Sequence, residues 1–207
     1  MAYIWDPTLL RFRDERGRFV TNAVVEAWRE TATDAAVERA RNLATQVAGG
    51  QIDVAAWQNA MRTEIKNRVI QEYLLGRGPG LLTPADRGSL GGMLTEQYRY
   101  LDRFAVEIAA GNLSEAQISA RAAMYIRSAH EAYGRAQARA RHITLPAYPG
   151  DGNSRCLTNC GCHWEFHGRG HHKWDCYWVL GDHEHCVDCL DNASKWNPYT
   201  VRGGEPG

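Results

Sequence analysis

All six cysteines of this 207-residue chain lie in one short stretch, between Cys156 and Cys189. Six of the eight histidines fall in the same stretch, whereas the residues before it contain no cysteine. A segment of this size cannot bury a large hydrophobic core, and modules below roughly 70 residues usually depend on a metal ion or on disulfides. The clustering therefore predicts a small module, stabilised in its own way, near the end of the chain.

The spacing of these cysteines suits a tetrahedral metal site. One group is the run Cys156-Leu-Thr-Asn-Cys160-Gly-Cys162-His163, and the other is His183-Glu-His185-Cys186-Val-Asp-Cys189. A close cysteine pair brings both sulfurs to about 2.3 Å from one ion, and a second pair further along the chain completes the tetrahedron. We predict zinc bound by Cys156, Cys160, Cys186 and Cys189, with Cys162, Cys176 and His185 as alternative ligands.

Such a zinc ion is expected to be structural. Bound metal supplies folding energy directly, because the unfolded chain does not hold the ligands in place. Cysteine-rich sites without an open coordination position are usually structural and not catalytic. Reduced structural thiols and disulfides are the other interpretations of the same residues. The run His167-Gly-Arg-Gly-His-His172 could hold a second metal, but a solvated loop between two strands explains it better.

The residues before the module have the hydrophobic period of helices. Four helices are predicted, at about residues 21–48, 53–75, 89–110 and 114–141. Gly49 and Gly50 mark the end of the first, Asp53 is a plausible N-cap of the second, and Ser114 with Gln117 forms a capping-box pattern for the fourth. Each apolar stripe is narrow and the opposite face is charged, so the helices should pack on one another.

These patterns predict a mainly α fold in two parts. Residues 1–142 form a helical body with an N-terminal arm, and residues 143–207 form the zinc-binding module with short strands. The boundary falls next to a run of turn residues, Leu145-Pro-Ala-Tyr-Pro-Gly-Asp-Gly-Asn153. The arm contains Phe12-Arg-Asp-Glu-Arg-Gly-Arg-Phe19-Val20, which is either a segment that docks on a partner or a hairpin that packs on the body.

Composition excludes several classes of protein. The formal net charge is zero, so no overall basic bias points to nucleic acid. Neither a signal peptide nor an apolar run of membrane-spanning length is visible, so a cytosolic protein with reduced thiols is expected. Arg135, Arg139 and Arg141 could form a weak nucleic-acid-binding patch, although cations are also favoured near a helix C-terminus.

An enzymatic interpretation also exists. Asp182 and His183 stand close to a Cys-x-x-Cys pair, a combination similar to HNH-type nucleases, in which a histidine activates water. Such sites usually carry a further histidine on a following helix, and no histidine follows His185 here. Motifs for acyl transfer, phosphate cradling and dinucleotide binding are missing from the sequence. We therefore expect no enzymatic activity and keep a metal-dependent nuclease as the alternative.

A series of short motifs follows in order along the chain. They are Leu113-Ser-x-x-Gln117, Arg121-Ala-x-Met124-Tyr125, Pro149-Gly-Asp-Gly152, Cys156-Leu-Thr-Asn-Cys160-Gly-Cys162, Trp178-x-Leu-Gly181, Glu184-His-Cys-x-Asp-Cys189 and Trp196-x-Pro-Tyr199. This order resembles the minor head or head-morphogenesis proteins that tailed phages and prophages encode beside the portal gene. It is more distantly similar to the Mu F-like group, whose Asn-Cys-Arg-Cys motif stands here as Asn159-Cys160-Gly161-Cys162.

The resemblance implies a structural role in the assembly of a phage head. The implied partners are the portal protein and the major capsid protein, with contact to packaged DNA as a further possibility. Several copies would join a symmetric assembly in the virion head, after synthesis in the host cytoplasm. Many members of the family are longer than this chain, which has little beyond the module.

Overall fold

The computed structural model describes residues 3–6, 9, 11–156, 160–170, 172–181, 184–202 and 205–206, the last two by their backbone only. Within these residues the chain is mainly helical and adds two small antiparallel sheets, which confirms the predicted mainly α class with short strands. The helices are α1 (Asn22–Ala48), α2 (Val54–Arg77), α3 (Pro84–Ala109), α4 (Glu115–Arg127), α5 (His130–Ala140) and α6 (Val187–Lys195). The strands are β1 (Tyr3–Asp6), β2 (Arg11–Asp14), β3 (Phe19–Val20), β4 (His163–Gly168), β5 (Lys173–Val179), β6 (Tyr199–Arg202) and β7 (Glu205–Pro206).

Helices α1 and α2 begin close to the predicted residues because their caps are encoded locally. The Thr21 side chain accepts a hydrogen bond from the Val24 amide, and the Asp53 side chain accepts one from the Ala56 amide. Gly78 follows α2 with a φ of 87°, a conformation that glycine adopts without steric penalty. The apolar stripe of α2 is buried as its period predicts, at Trp57, Met61, Ile65 and Val69.

Helix α3 begins at Pro84, earlier than the predicted start near residue 89. Thr83 and Asp86 form a capping box, and a proline at the first helical position needs no hydrogen-bond partner. Three glycines between residues 88 and 92 interrupt the apolar period, so periodicity alone places the start too late. The capping signal, and not the hydrophobic period, therefore determines where this helix begins.

The predicted fourth helix, residues 114–141, is two helices and not one. Helix α4 ends at Arg127 and α5 begins at His130, with Ser128 and Ala129 between them. The Ser128 hydroxyl donates to the Tyr125 carbonyl (2.8 Å), as expected where a serine competes for helix hydrogen bonds. After the break the chain changes neighbours, because α4 packs on α1 whereas α5 packs on α2. The interruption lets one stretch of chain cover two helices.

A single hydrophobic cluster joins the first five helices. Its large buried members include Trp57 and Phe104, whose rings meet edge to face with centroids 5.4 Å apart. Small residues let the helices approach closely, and a Cβ atom on Gly76 of α2 would lie 2.5 Å from the Tyr133 carbonyl oxygen of α5. In the described part of the chain, no helix is both long and apolar enough to cross a membrane.

The N-terminal strands form an antiparallel sheet in the order β1-β2-β3. Trp5 and Phe12 lie opposite each other in this sheet and are buried against Val25, Leu75 and Tyr133 of the helices. Of the two interpretations of the arm, the structure therefore corresponds to the hairpin that packs on the body.

The C-terminal residues build the second sheet, in the order β4-β5-β6-β7, with all neighbours antiparallel. Trp164 lies opposite Trp178 across β4 and β5, and the Trp196 ring stacks on Trp164 with centroids 5.7 Å apart. The buried cluster of this module takes Ile143 and Leu145 from the turn segment before it. It also includes four of the cysteines: Cys160, Cys162, Cys176 and Cys189.

Candidate metal centre

Two segments carry the clustered cysteines, and the element next to each segment fixes its position. Cys160 and Cys162 stand directly before β4, which begins at His163. Cys186 is the N-cap residue of α6, and the amide of Cys189 in the first turn donates to the Cys186 carbonyl (3.1 Å). The N-cap and the third helical residue face each other at the start of a helix. The Cys-x-x-Cys spacing therefore brings these two side chains together.

Backbone contacts hold the two segments side by side. In the antiparallel β4–β5 pair, the residues just before β4 run beside those just after β5. A Cβ atom on Gly181 would lie 2.5 Å from the Gly161 carbonyl oxygen, so a larger residue would push the two segments apart. The Arg155 amide donates to the Asp188 carboxylate (2.7 Å), which joins the first segment to α6.

Five of the six cysteines converge in two groups of three, in each of which all sulfurs lie within 4.8 Å of one another. The outer triad is Cys156, Cys186 and Cys189, and the inner triad is Cys160, Cys162 and Cys189. Cys189 belongs to both triads, with its Sγ atom 3.5 Å from that of Cys156 and 3.4 Å from that of Cys160. All four predicted primary ligands are in the cluster, together with the alternative ligand Cys162.

The sulfur separations suit metal ligands better than disulfides. A disulfide holds its two sulfurs about 2.05 Å apart. Four sulfurs bound tetrahedrally at about 2.3 Å from one ion lie about 3.8 Å from one another. The observed 3.4 and 3.5 Å separations at Cys189 are close to the second value, and all six cysteines are free thiols. Thiolates are soft ligands, so this donor set fits zinc better than magnesium or calcium.

The clustered thiols differ in how readily they ionise. A hydrogen bond from the Cys160 thiol lowers the pKa of Cys162 to about 5, and the same hydrogen bond raises the pKa of Cys160. Burial raises the pKa of Cys189. Burial acts in the same direction on Cys186, but hydrogen bonds from the Cys189 and Cys156 amides outweigh it and lower the pKa of this thiol. Since the thiolate is the metal-binding form, the lowered pKa of Cys162 in the inner triad and of Cys186 in the outer triad favours metal binding.

The remaining alternative ligands lie in different environments. Cys176 is fully buried in the middle of β5, opposite Tyr199, and neither triad includes it. Burial raises the pKa of Cys176 to about 12, which keeps it a neutral thiol in the core. The Nδ1 atom of His185 lies 4.0 Å from the Cys162 Sγ atom, next to the inner triad. The geometry therefore favours His185 over Cys176 as an additional ligand.

The three arginines of the predicted nucleic-acid-binding patch do not share one open surface. Arg135 pairs with Glu131 at 2.6 Å, and Arg139 pairs with the buried carboxylate of Asp86 at 3.1 Å. Arg141 is only 9% exposed and lies against aromatic rings of three strands. Two of these charges are paired and the third is buried, so their arrangement favours a structural role over phosphate binding.

Some predicted features fall outside the described residues, namely Asn159 of the Asn-Cys-Gly-Cys motif, His171, and the pair Asp182–His183 of the nuclease interpretation. Of the histidine run, His167 is exposed at the end of β4 and meets the Tyr177 ring edge to face at 5.0 Å. His172 adopts a positive φ of 57° in the turn between β4 and β5. His172 therefore lies in the predicted loop, whereas His167 belongs to β4, where it is paired with Asp175 of β5.

Comparisons with known proteins leave the site to be interpreted from its own geometry. No family model, no curated protein and no solved structure matches the chain.

The cysteine spacing predicts the cluster, but it does not reveal the Gly161–Gly181 contact or the Asp188 bond to the Arg155 amide. Two sequence signals could have indicated these contacts. They are Gly181, at the end of an aromatic strand, and Asp188, an acidic residue in the first turn of α6.

Proposed function

We propose that this chain is a non-enzymatic structural protein in which zinc, bound at the cysteine cluster, holds the C-terminal module together. The observation that carries the proposal is the convergence of four cysteines on a fifth, Cys189, from two segments far apart in the sequence. In a module this small, cysteines contribute to the hydrophobic core itself. A metal ion is the usual means of stabilising such a module.

The type of ligand supports a structural metal in preference to a catalytic one. Catalytic zinc sites commonly use histidine and carboxylate ligands and leave a position open for water beside a general base. The described ligands here are almost all cysteines, and the inner triad is fully buried. The buried inner triad gives a substrate little access to an ion bound there.

The zinc proposal predicts a specific pattern of metal loss. Purified protein should contain zinc by elemental mass spectrometry, and Cys189→Ala should lose most of it, because both triads include Cys189. Cys176→Ala is the matched control, since this residue is equally buried but belongs to neither triad. Wild-type protein without zinc after purification in zinc-containing medium, or equal zinc in both variants, would refute the proposal.

We further propose that the protein serves the assembly of a tailed-phage head, associated with the portal or the inner capsid surface. The order of motifs from Leu113 to Tyr199 supports this role. The expected partners are the portal protein and the major capsid protein, with several copies in a symmetric assembly; contact with packaged DNA stays a further prediction.

Quantitative mass spectrometry of purified particles tests the assembly role. A copy number comparable to that of the portal subunit is the result we expect for a portal-associated protein. A copy number in the hundreds would contradict the portal association and indicate a component of the capsid lattice. If the protein is missing from particles at every stage of assembly, the structural role in the head is refuted.

A further inference from the structure

The cysteine cluster contains more ligands than one zinc ion can bind. Five sulfur atoms lie in it and the His185 imidazole lies beside it, whereas a tetrahedral ion takes four ligands. Either some of these groups remain unbound, or the cluster binds more than one ion. The arrangement of the sulfurs distinguishes these two cases.

The sulfurs form two triangles with a common corner, and not one tetrahedron. Around a single ion, each of the four ligand atoms must be close to the other three. In the described part of the chain, the sets that meet a mutual limit of 4.8 Å contain three cysteines each, and only Cys189 is common to both. The set of four predicted from the sequence takes three members from the outer triad and Cys160 from the inner triad. It therefore spans two separate groups.

The inner triad has a fourth ligand next to it. His185 Nδ1 lies 4.0 Å from Cys162 Sγ but outside the mutual 4.8 Å limit that the three sulfurs meet, so the imidazole must turn toward Cys160 and Cys189 to bind the same ion. The inner triad and His185 together supply three thiolates and one imidazole, a common donor set for structural zinc. The outer triad supplies three thiolates, and two of them, Cys156 and Cys186, are partly exposed. Water can therefore complete the coordination of an ion held by the outer triad.

From this geometry we infer that the module binds two zinc ions that share the thiolate of Cys189. The outer ion is held by Cys156, Cys186 and Cys189, and the inner ion by Cys160, Cys162, Cys189 and His185. This inference rests on the proposed zinc binding and specifies its stoichiometry. A thiolate has enough lone pairs to bind two ions at once, and the central position of Cys189 at the start of α6 suits this bridging role.

The balance of charge is compatible with two ions. Each cysteine that binds releases its thiol proton to solvent, and His185 binds through the lone pair of a neutral imidazole. Two Zn²⁺ ions with five thiolates leave one net negative charge, the same as one ion with three thiolates and His185. The number of ions therefore follows from the arrangement of the sulfurs and not from their charge.

The zinc content of the full-length protein tests the stoichiometry. We expect two zinc ions per chain in the wild type and one in His185→Ala or Cys162→Ala, since each change removes a ligand of the inner ion alone. His163→Ala is the matched control, because this exposed histidine lies in β4 and outside the cluster, and it should retain two. One zinc per chain in the wild type would overturn the two-ion inference and leave the zinc staple intact. Complete lack of zinc would overturn both.

Cobalt substitution gives a second test that does not depend on the folding of variants. Two cobalt(II) ions that share a thiolate couple magnetically, so the paramagnetism per cobalt should fall as the second equivalent binds to the zinc-free wild-type protein. Two bound cobalt ions without any coupling would overturn the bridging role of Cys189. Saturation at one equivalent would overturn the second site.

Discussion

Asp86 shows how a single buried residue connects several helices. Its carboxylate accepts hydrogen bonds from the Tyr73 hydroxyl (2.8 Å), Arg77 (2.7 Å), the Thr83 hydroxyl (2.7 Å) and Arg139 (3.1 Å). These donors come from α2, α5 and the segment just before α3. Burial alone would raise the pKa of Asp86, but the hydrogen bonds outweigh it and hold the pKa well below its usual range.

We predict that Asp86→Asn lowers the free energy of unfolding by about 3 kcal/mol at pH 7, because it leaves two arginines without their shared carboxylate. Asp102→Asn is the matched control. Asp102 pairs with Arg62 at 2.7 Å but is half exposed, so its loss should change stability by less than about 1 kcal/mol. Urea unfolding followed by circular dichroism measures both changes. Equal effects of the two substitutions would contradict the role assigned to Asp86.

The same substitution should alter the dependence of stability on pH. A carboxyl group with a lowered pKa in the folded state stabilises the protein above its unfolded pKa of about 3.9 and loses this contribution as the pH falls below that value. The wild type should therefore lose more stability than Asp86→Asn between pH 5 and pH 3. The gap between the two proteins should narrow as the solution becomes more acidic.

At the scale of helices and strands, the sequence predicts what local signals encode. The starts of α1 and α2 follow from Thr21 and Asp53, whose side chains cap backbone amides within their own turn. The break at Ser128 could not be predicted in this way, because apolar residues continue at helical spacing through it. It depends instead on where α1 and α2 lie, since α4 packs on one and α5 on the other. Tertiary packing therefore decides that boundary.

For the candidate metal centre too, local sequence spacing predicts some features, whereas others depend on contacts between distant parts of the chain. The Cys-x-x-Cys spacing at Cys186 is sufficient to bring two sulfurs together at a helix start, so this part of the cysteine cluster could be predicted. The close approach of Gly161 to Gly181, which places the segment of Cys160 and Cys162, involves residues at two strand ends. Sequence spacing identifies the candidate ligands, but it does not show which of them share an ion.

At the scale of the whole molecule, three hydrophobic clusters meet at the end of α5. One joins the first five helices, one joins the N-terminal sheet to α1 and α2, and one fills the cysteine module. Helix α5 contributes to all three, with Ala136 in the first cluster, Tyr133 in the second and Ala138 in the third. The predicted division after residue 142 stays a prediction, but the two sides of it are in direct contact.

Arg141, directly after α5, lies at the junction of these parts. The carbon of its guanidinium group is 4.3 Å from the centre of the Trp5 ring in β1, 4.7 Å from Phe166 in β4 and 5.4 Å from Trp174 in β5. Its Nη1 atom donates to the Gln137 carbonyl (3.0 Å). Burial lowers the pKa of Arg141 to about 10, which still leaves the guanidinium charged at neutral pH, and the neighbouring rings are placed to interact with this cation.

If Arg141 joins the N-terminal sheet to the cysteine module, its removal should weaken both contacts at once. We predict that Arg141→Ala lowers the free energy of unfolding by about 3 kcal/mol, because it leaves a void between three rings. Arg141→Lys should lower it by about 1 to 2 kcal/mol, since an ammonium group keeps the charge but lacks the planar surface that stacks on aromatic rings. Urea unfolding followed by tryptophan fluorescence measures both, and emission from the folded alanine variant should shift to longer wavelength as Trp5 and Trp174 become hydrated.

Arg127→Ala, which replaces an exposed arginine at the end of α4, is the control and should stay within about 0.5 kcal/mol of the wild type. An alanine variant at position 141 as stable as this control would mean that contacts other than the arginine hold the module on the body.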